Sequence, residues 1–253
     1  MQLHLFHFTP HGLARAYSHL VAGKKLCRAA GLKLRPLIPD SVNSMTAAWN
    51  VYQTFEKSGL PRPRTIIDVG ANVSQMTRLL LGTAPDARVL SFEPNQKLLP
   101  AGEVHRVALS DTDGTTDFFI PQNDSDWGTI ESGKVNITSN TARYSVPTRR
   151  MESLIENGEI EWTGDGQPIF VKIDTEGSEK KVIDGFGKYL GDVSYLLVEV
   201  ENQEARGQNY NLISLCTALA EKGFDCAKIV YSCYDGPEAP AYSDILFWRS
   251  NKS

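Results

Sequence analysis

The chain has 253 residues and carries 26 Lys and Arg against 30 Asp and Glu, a formal charge of −4 at pH 7. Hydrophobic residues make up 41% and charged residues 22%, ordinary globular usage that excludes a disordered, collagenous or low-complexity chain and leaves apolar surface for a sizeable core. The cysteines, Cys27, Cys216, Cys226 and Cys233, form no CxxC pair, and no stretch reaches the ~18 uninterrupted apolar residues of a membrane span, so a cytoplasmic protein with reduced thiols is expected rather than a disulfide framework, a zinc ribbon or a membrane span. Met1–Pro10 lacks a basic segment followed by a long apolar run, so no secretory signal is expected either.

Residues 1–64 read as a helical lead-in. Leu13, Ala16, Tyr17, Leu20, Val21 and Leu26 recur mostly at three- and four-residue spacing, which predicts a helix over 11–32. Pro36 and Pro39 break it, a second helix starts near Ser41 or Ser44 and runs to Lys57, and Gly59 and Pro61 stop that one. The lead-in holds nine basic residues against Asp40 and Glu56, net +7, while the remainder is −11. Two readings stand side by side. Either the lead-in packs on an acidic body by charge complementarity, or it is an arm for an anionic partner such as a membrane surface. His4, His7, His11 and His19 cluster here without zinc spacing, and no metal site is predicted.

From Thr65 the pattern changes to strands alternating with helices. Thr65–Val69, Arg88–Phe92, Val104–Leu109, Ile169–Ile173 and Tyr195–Val200 read as strands, with Thr116–Ile120 as an edge addition. Helices are expected over 74–81, 178–190 and 209–222. Asp225–Ser232 and Asp244–Arg249 then form a strand pair around the turn residues Asp235-Gly236-Pro237. The fold class is α/β: a doubly wound, mostly parallel sheet with one antiparallel strand near an edge and helices on both faces. Residues 65–253 form the domain. Ligands of such sheets sit beyond the carboxyl ends of the strands, so the residues there are the candidates.

Asp68-Val69-Gly70-Ala71-Asn72 follows the first strand, where a glycine lets backbone approach a ligand. Glu93 ends the next strand, about 20 residues past the glycine turn, where an acid takes the two ribose hydroxyls of a nucleoside. The loop has one glycine instead of GxGxxG, so it lacks the cradle for a pyrophosphate. A nucleoside without phosphates fits better, and S-adenosylmethionine is such a ligand. Leu109, Ser110 and Asp111 end the third strand. There Leu109 can cover an adenine ring and Asp111 can accept from its exocyclic amine, or the segment is a plain turn. Asp174 and Glu176, in Lys172-Ile173-Asp174-Thr175-Glu176-Gly177, leave a central strand. One of them can serve as general base on a hydroxyl or hold the methionine ammonium; a helix N-terminus would favour such acids without any catalytic role. His105 is a further candidate base. The polar stretch 121–144, with Trp127-Gly128-Thr129, is long enough for a lid over the acceptor.

Four blocks in order, IIDVGANVSQMT (66–77), SFEPN (91–95), VALSDTDG (107–114) and FVKIDTEGSEKKVIDGF (170–186), with LLVEVEN (196–202) and VPTRRMESLI (146–155), resemble the FkbM family of S-adenosylmethionine-dependent methyltransferases. The resemblance covers about residues 65–250. It implies a class I methyltransferase sheet, Rossmann-like, and transfer of a methyl group to oxygen on a small molecule or saccharide. It places Asp68, Gly70 and Asn72 by the methionine portion, Glu93 on the ribose and the IDTEG block beside the methyl. Ser74 stands where family members usually have glycine, and Met151-Glu152 replaces the usual Leu-Asp. No nucleic-acid partner is expected. The alternative from another class is a non-catalytic nucleoside-binding module whose basic arm binds a partner.

Overall fold

Two mostly apolar five-residue runs make the centre of the sheet. β1 (Thr65–Val69) and β7 (Ile169–Ile173) are buried at every position, which is what a parallel strand covered on both faces requires. The structure, a computed structural model, describes residues 39–121, 128–134, 141–164, 166–201, 212–234 and 240–250. The predicted helix over 11–32, most of the basic residues of the lead-in, Trp127 and the turn at 235–237 lie outside them.

β1 is flanked by β2 (Arg88–Phe92) and β7, both parallel to it, and β3 (Glu103–His105) pairs with β2 at the edge. On the other side β7 pairs in parallel with β8 (Val193–Glu201), β8 pairs antiparallel with β10 (Pro240–Trp248), and β10 pairs antiparallel with β9 (Cys226–Tyr234). The order is β3-β2-β1-β7-β8-β10-β9, so β10 alone runs against the rest of this sheet. This is the mostly parallel sheet expected from the residues, with its one antiparallel strand next to an edge, and the class I methyltransferase sheet that the resemblance implies.

Alternate residues of these strands feed two cores. Ile67, Val69, Val171, Ile173 and Val198 face α3 (Met151–Glu156), α4 (Glu179–Gly185) and α5 (Leu212–Glu221). Ile66, Phe170, Tyr195, Leu197 and Leu246 face α1 (Pro39–Ser58) and α2 (Gln75–Leu81). α1 supplies Ala47, Ala48, Val51 and Phe55 to that second core, and the Phe55 ring stands edge-on to Tyr195 with centroids 4.7 Å apart. Helix α1 therefore covers one face of the sheet. It begins on Pro39, ahead of the expected start near Ser41 or Ser44, because the missing N–H of proline costs nothing in a first turn.

Two further expectations are corrected. The segment Val104–Leu109 is not one strand. It divides at Arg106-Val107 into β3 in the main sheet and β4 (Ala108–Leu109) in a second one. Thr116–Ile120 does not extend the main sheet. It lies in β5 (Gly114–Pro121), which pairs antiparallel with β6 (Thr141–Arg149), giving a small sheet β4-β6-β5. Pro147 and the polar residues of β6 hide a strand whose outer face meets water. The helix expected over 178–190 stops at Gly185, and Gly187, at φ 53°, opens a 3-10 turn over Gly187–Asp192.

Candidate active site

The loops after β1 and β7 touch. Gly70 has φ +69°, and a Cβ there would stand 1.8 Å from the carbonyl oxygen of Asp174, so no larger residue leaves both loops in place. The N–H groups of Gly70 and Ala71 donate to the Phe92 carbonyl at 3.1 and 3.2 Å, which ties this loop to the end of β2. Asn72 and Ser74 are left-handed, at φ 50° and 56°. Glycine adopts that conformation without strain, which accounts for the family's usual residue at position 74. Here the buried Ser74 hydroxyl is used instead, accepting the Ala101 N–H at 3.1 Å.

Glu93 is 5% exposed at the end of β2. One carboxylate oxygen accepts the Asn72 N–H and the other the Asn95 N–H, each at 2.8 Å. Burial raises its pKa above the usual carboxylate value, and those two N–H donors, with Lys172 and Arg106, oppose the rise. Arg106 reaches back to the carbonyls of Asn95 and Leu98 at 2.7 and 2.8 Å and holds the loop in which Glu93 begins.

These groups line a first cavity. Gly70, Asn72, Glu93, Leu109, Asp174 and Glu176 all contribute to its wall, together with Phe118 of β5 and Gly128-Thr129-Ile130. Thr129 donates its hydroxyl to the Glu176 carbonyl at 2.8 Å, and the Ser178 hydroxyl and Lys181 ammonium both donate to Glu131, at 2.9 and 2.6 Å. Glu179 organises the loop after β7 from below: one oxygen accepts the N–H groups of Thr175 and Gly177 at 3.0 and 2.9 Å. Glu176 sits in that loop at φ 56°.

A second cavity of about 430 Å³ opens on the other side of Asp174 and Glu176, which line both. Its wall comes from Ser44 and Ala47 of α1, Lys172 of β7, Leu197, Glu199 and Glu201 of β8, and Tyr242 and Asp244 of β10. One carboxylate oxygen each from Asp174, Glu176 and Glu199 lies within 4.8 Å of the others. Burial and the neighbouring charges of Asp174 and Glu176 push Glu199 well above the ordinary value; burial and Asp174 push Asp244 up to about 7. Lys172 lies beneath this group. Its ammonium is 3.3 Å from Asp68, 3.2 Å from Asp174 and 3.1 Å from the Gly70 carbonyl oxygen. Burial alone would lower its pKa, but Asp174 and Asp68 outweigh that and hold it charged, above the ordinary lysine value.

Six of the residues singled out in the sequence thus meet at the first cavity. The others take different places. Asp68 is fully buried under the loop and lines neither cavity. Ser110 is 4% exposed, its hydroxyl donating to Asp111 at 3.1 Å, and neither residue lines a cavity. His105 stacks on Phe92 at 5.0 Å and lies 3.2 Å from Glu103, away from both cavities. Lys172, Glu199 and Asp244 were overlooked, although each leaves a signal: an ionisable residue inside an apolar strand, in Phe-Val-Lys-Ile, Leu-Val-Glu-Val and Ser-Asp-Ile-Leu.

The first cavity suits a nucleoside without phosphates. It offers a glycine-tight backbone turn where a side chain would intrude, and a buried carboxylate already fixed by two N–H donors, with lone pairs left for vicinal hydroxyls. Among solved structures, the chain is similar to the precorrin-6y C5,15-methyltransferase of Geobacter metallireducens GS-15, at 12% identity over 85% of this chain and 93% of that one, TM-score 0.36. It is similar as well to the magnesium protoporphyrin IX methyltransferase ChlM of Synechocystis PCC 6803 with bound SAH, at 12% identity over 94% and 98%, TM-score 0.41. A third is the plantazolicin methyltransferase BpumL in complex with SAH, at 10% identity over 81% and 84%, TM-score 0.41. No curated protein sequence matches. The Methyltransferase FkbM domain matches residues 68–226, more than half of the chain. The chain belongs to the FkbM methyltransferase family, an enzyme family that uses S-adenosyl-L-methionine.

Proposed function

We propose that the protein methylates a hydroxyl oxygen on a small molecule or saccharide in the second cavity. The observation that carries this reading is that the second cavity shares Asp174 and Glu176 with the cofactor cavity, so an acceptor bound there adjoins the methyl donor. Bound in the first cavity, S-adenosylmethionine supplies an electrophilic methyl group on a sulfonium. Glu93 accepts the ribose hydroxyls and Leu109 covers the adenine, while Ser110 and Asp111, outside the cavity wall, hold the turn that follows Leu109. Gly70 and Asn72 hold the methionine portion, with Asp68 supporting their loop from beneath. Asp174, facing both cavities, takes the proton from the acceptor hydroxyl, and Glu176 orients it. A cytoplasmic location completes the reading, with a unit spanning 65–253 to which the helical lead-in of 1–64 adds α1 as the cover of one sheet face and part of the second cavity's wall. An anionic contact would fall to the basic residues of that lead-in.

The test has two arms. With labelled donor and a panel of hydroxylated small molecules and glycosides, label should appear on oxygen; label on nitrogen or carbon overturns the assignment. With that acceptor, Asp174→Asn should lower the single-turnover rate about 10²–10⁴-fold at nearly unchanged cofactor affinity. A parallel fall in affinity would mean that Asp174 holds the methionine ammonium instead. No change in either would return Asp174 to a structural place at the strand end.

A further inference from the structure

Lys172 is the charged residue inside the apolar strand β7, and it is buried, at 9% exposure. Its ammonium has three oxygen neighbours from two different strand ends: the Gly70 carbonyl at 3.1 Å, Asp174 at 3.2 Å and Asp68 at 3.3 Å. Each does something different. Gly70 is the turn against which the cofactor must lie. Asp174 is the carboxylate on the border of the two cavities. Asp68 is fully buried, and among the described residues neither of its oxygens has a hydrogen bond, so the ion pair with Lys172 is what compensates its charge.

A lysine whose only task was to neutralise Asp68 would need one of these three contacts. Burying an ammonium is costly and is offset only by close partners, and here two of the three partners belong to the ligand-facing walls. Asp174 also has a second tie, its backbone N–H donating to the Val69 carbonyl at 3.1 Å, so main chain and side chain are both anchored to the β1 end. We propose that Lys172 is a positioning residue that locks the Asp174 carboxylate to the Gly70 turn, so that the cofactor loop and the acceptor-side acid are set as one rigid unit. Lys172 lines only the second cavity; it acts on the first through Gly70 and Asp174. The inference rests on cofactor binding in the first cavity and not on the identity of the acceptor.

The experiment therefore reads cofactor affinity, with S-adenosylhomocysteine as the calorimetric probe, beside the melting temperature. Lys172→Met alone leaves the buried Asp68 uncompensated and should melt early. Adding Asp68→Asn removes the second buried charge and should bring the melting temperature back towards that of Asp68→Asn alone. Positioning predicts that affinity does not return: the double variant should bind at least tenfold more weakly than Asp68→Asn. In an Asp174→Ala background, the same Lys172→Met step should cost at least threefold less, because one of the anchored groups is gone. The proposal is overturned if the double variant binds within threefold of Asp68→Asn, since Lys172 would then serve only to neutralise Asp68. An equal cost with and without Asp174 overturns it as well. If methionine at 172 does not fold in either background, Lys172→Gln with Asp68→Asn, a smaller neutral pair, carries the same comparison. Because no acceptor enters, failure of the O-methylation reading leaves this result standing.

Discussion

The two cavities meet at Asn72, Leu98, Asp174 and Glu176, but they are made of different material. The first is a backbone construction. Its geometry comes from a glycine turn, three left-handed residues, and a glutamate pinned by main-chain N–H groups. The second shares the loop after β1 through Ala71–Val73 but takes its polar character from side chains: Ser44 of α1, Lys172 of β7, Glu199 and Glu201 of β8, and Tyr242 and Asp244 of β10. Burial raises the pKa of an acid in both, yet Glu93 has two N–H donors that oppose the rise, while Glu199 and Asp244 face more carboxylates. A backbone site tolerates little change and suits a ligand that never varies. A side-chain site can be rewritten residue by residue without moving the strands, so its specificity can change while the fold does not.

The sharpest way to break this contrast is at Gly70. Gly70→Ala puts a methyl group against the Asp174 carbonyl and demands a positive φ from alanine. Strain and overpacking together should cost roughly 2–5 kcal/mol, read as a lower melting temperature and loss of cofactor binding. A variant that folds and binds normally would show that the two loops have slack, and the backbone account of the first cavity would fail.

Glu93→Ala tests the same cavity through the side chain proposed to hold the ribose. Cofactor affinity should fall by about 1.5–3 kcal/mol, because buried ribose hydroxyls lose a charged acceptor. Calorimetry on a folded variant with unchanged affinity would remove the ribose assignment. Some destabilisation is expected too, since the Asn72 and Asn95 N–H groups lose their partner.

The same contrast explains what could be read in the sequence. The first cavity was legible because strand-end glycines, acids and asparagines sit close together in the chain: Asp68 to Asn72, Glu93, and Asp174 to Glu176. The sheet was legible for a related reason, since β1 and β7 are short, mostly apolar runs with a single ionisable residue each, Asp68 and Lys172. The second cavity was not. Ser44, Lys172, Glu199 and Asp244 are neighbours only once α1 lies on the sheet and β10 inserts between β8 and β9, and no local pattern encodes that. The small sheet was missed for a third reason. β4 has two residues and β6 contains Pro147, so neither carries the alternation of a half-buried strand. His105, a candidate base from the sequence, has its ring occupied by Phe92 and Glu103.

The smallest effect expected has the opposite sign and belongs to the second cavity. Asp244 is pushed from an ordinary 3.8 up to about 7, by burial first and then by Asp174, while Lys172 pulls it back. Between those values the folded chain keeps a proton that the unfolded chain has released. Stability contributed by this group is therefore full below about pH 4, declines as pH rises through the window, and is at its minimum above 7. Asp244→Asn removes the titration while keeping the shape. It should leave stability nearly unchanged at acid pH and raise it at pH 8. The full shift would correspond to about 4 kcal/mol at 1.36 kcal/mol per unit. Asp244 is only half-buried on the cavity wall, so water screens part of this, and a gain on the order of 1–2 kcal/mol is expected. Glu199, shifted the same way, should keep some of the pH slope in the variant. Urea unfolding at pH 4.5 and pH 8 decides the matter. A loss of stability at pH 8, or an equal effect at both values, would mean that Asp244 has a charged partner in the folded chain, and the second cavity would then be as fully satisfied as the first.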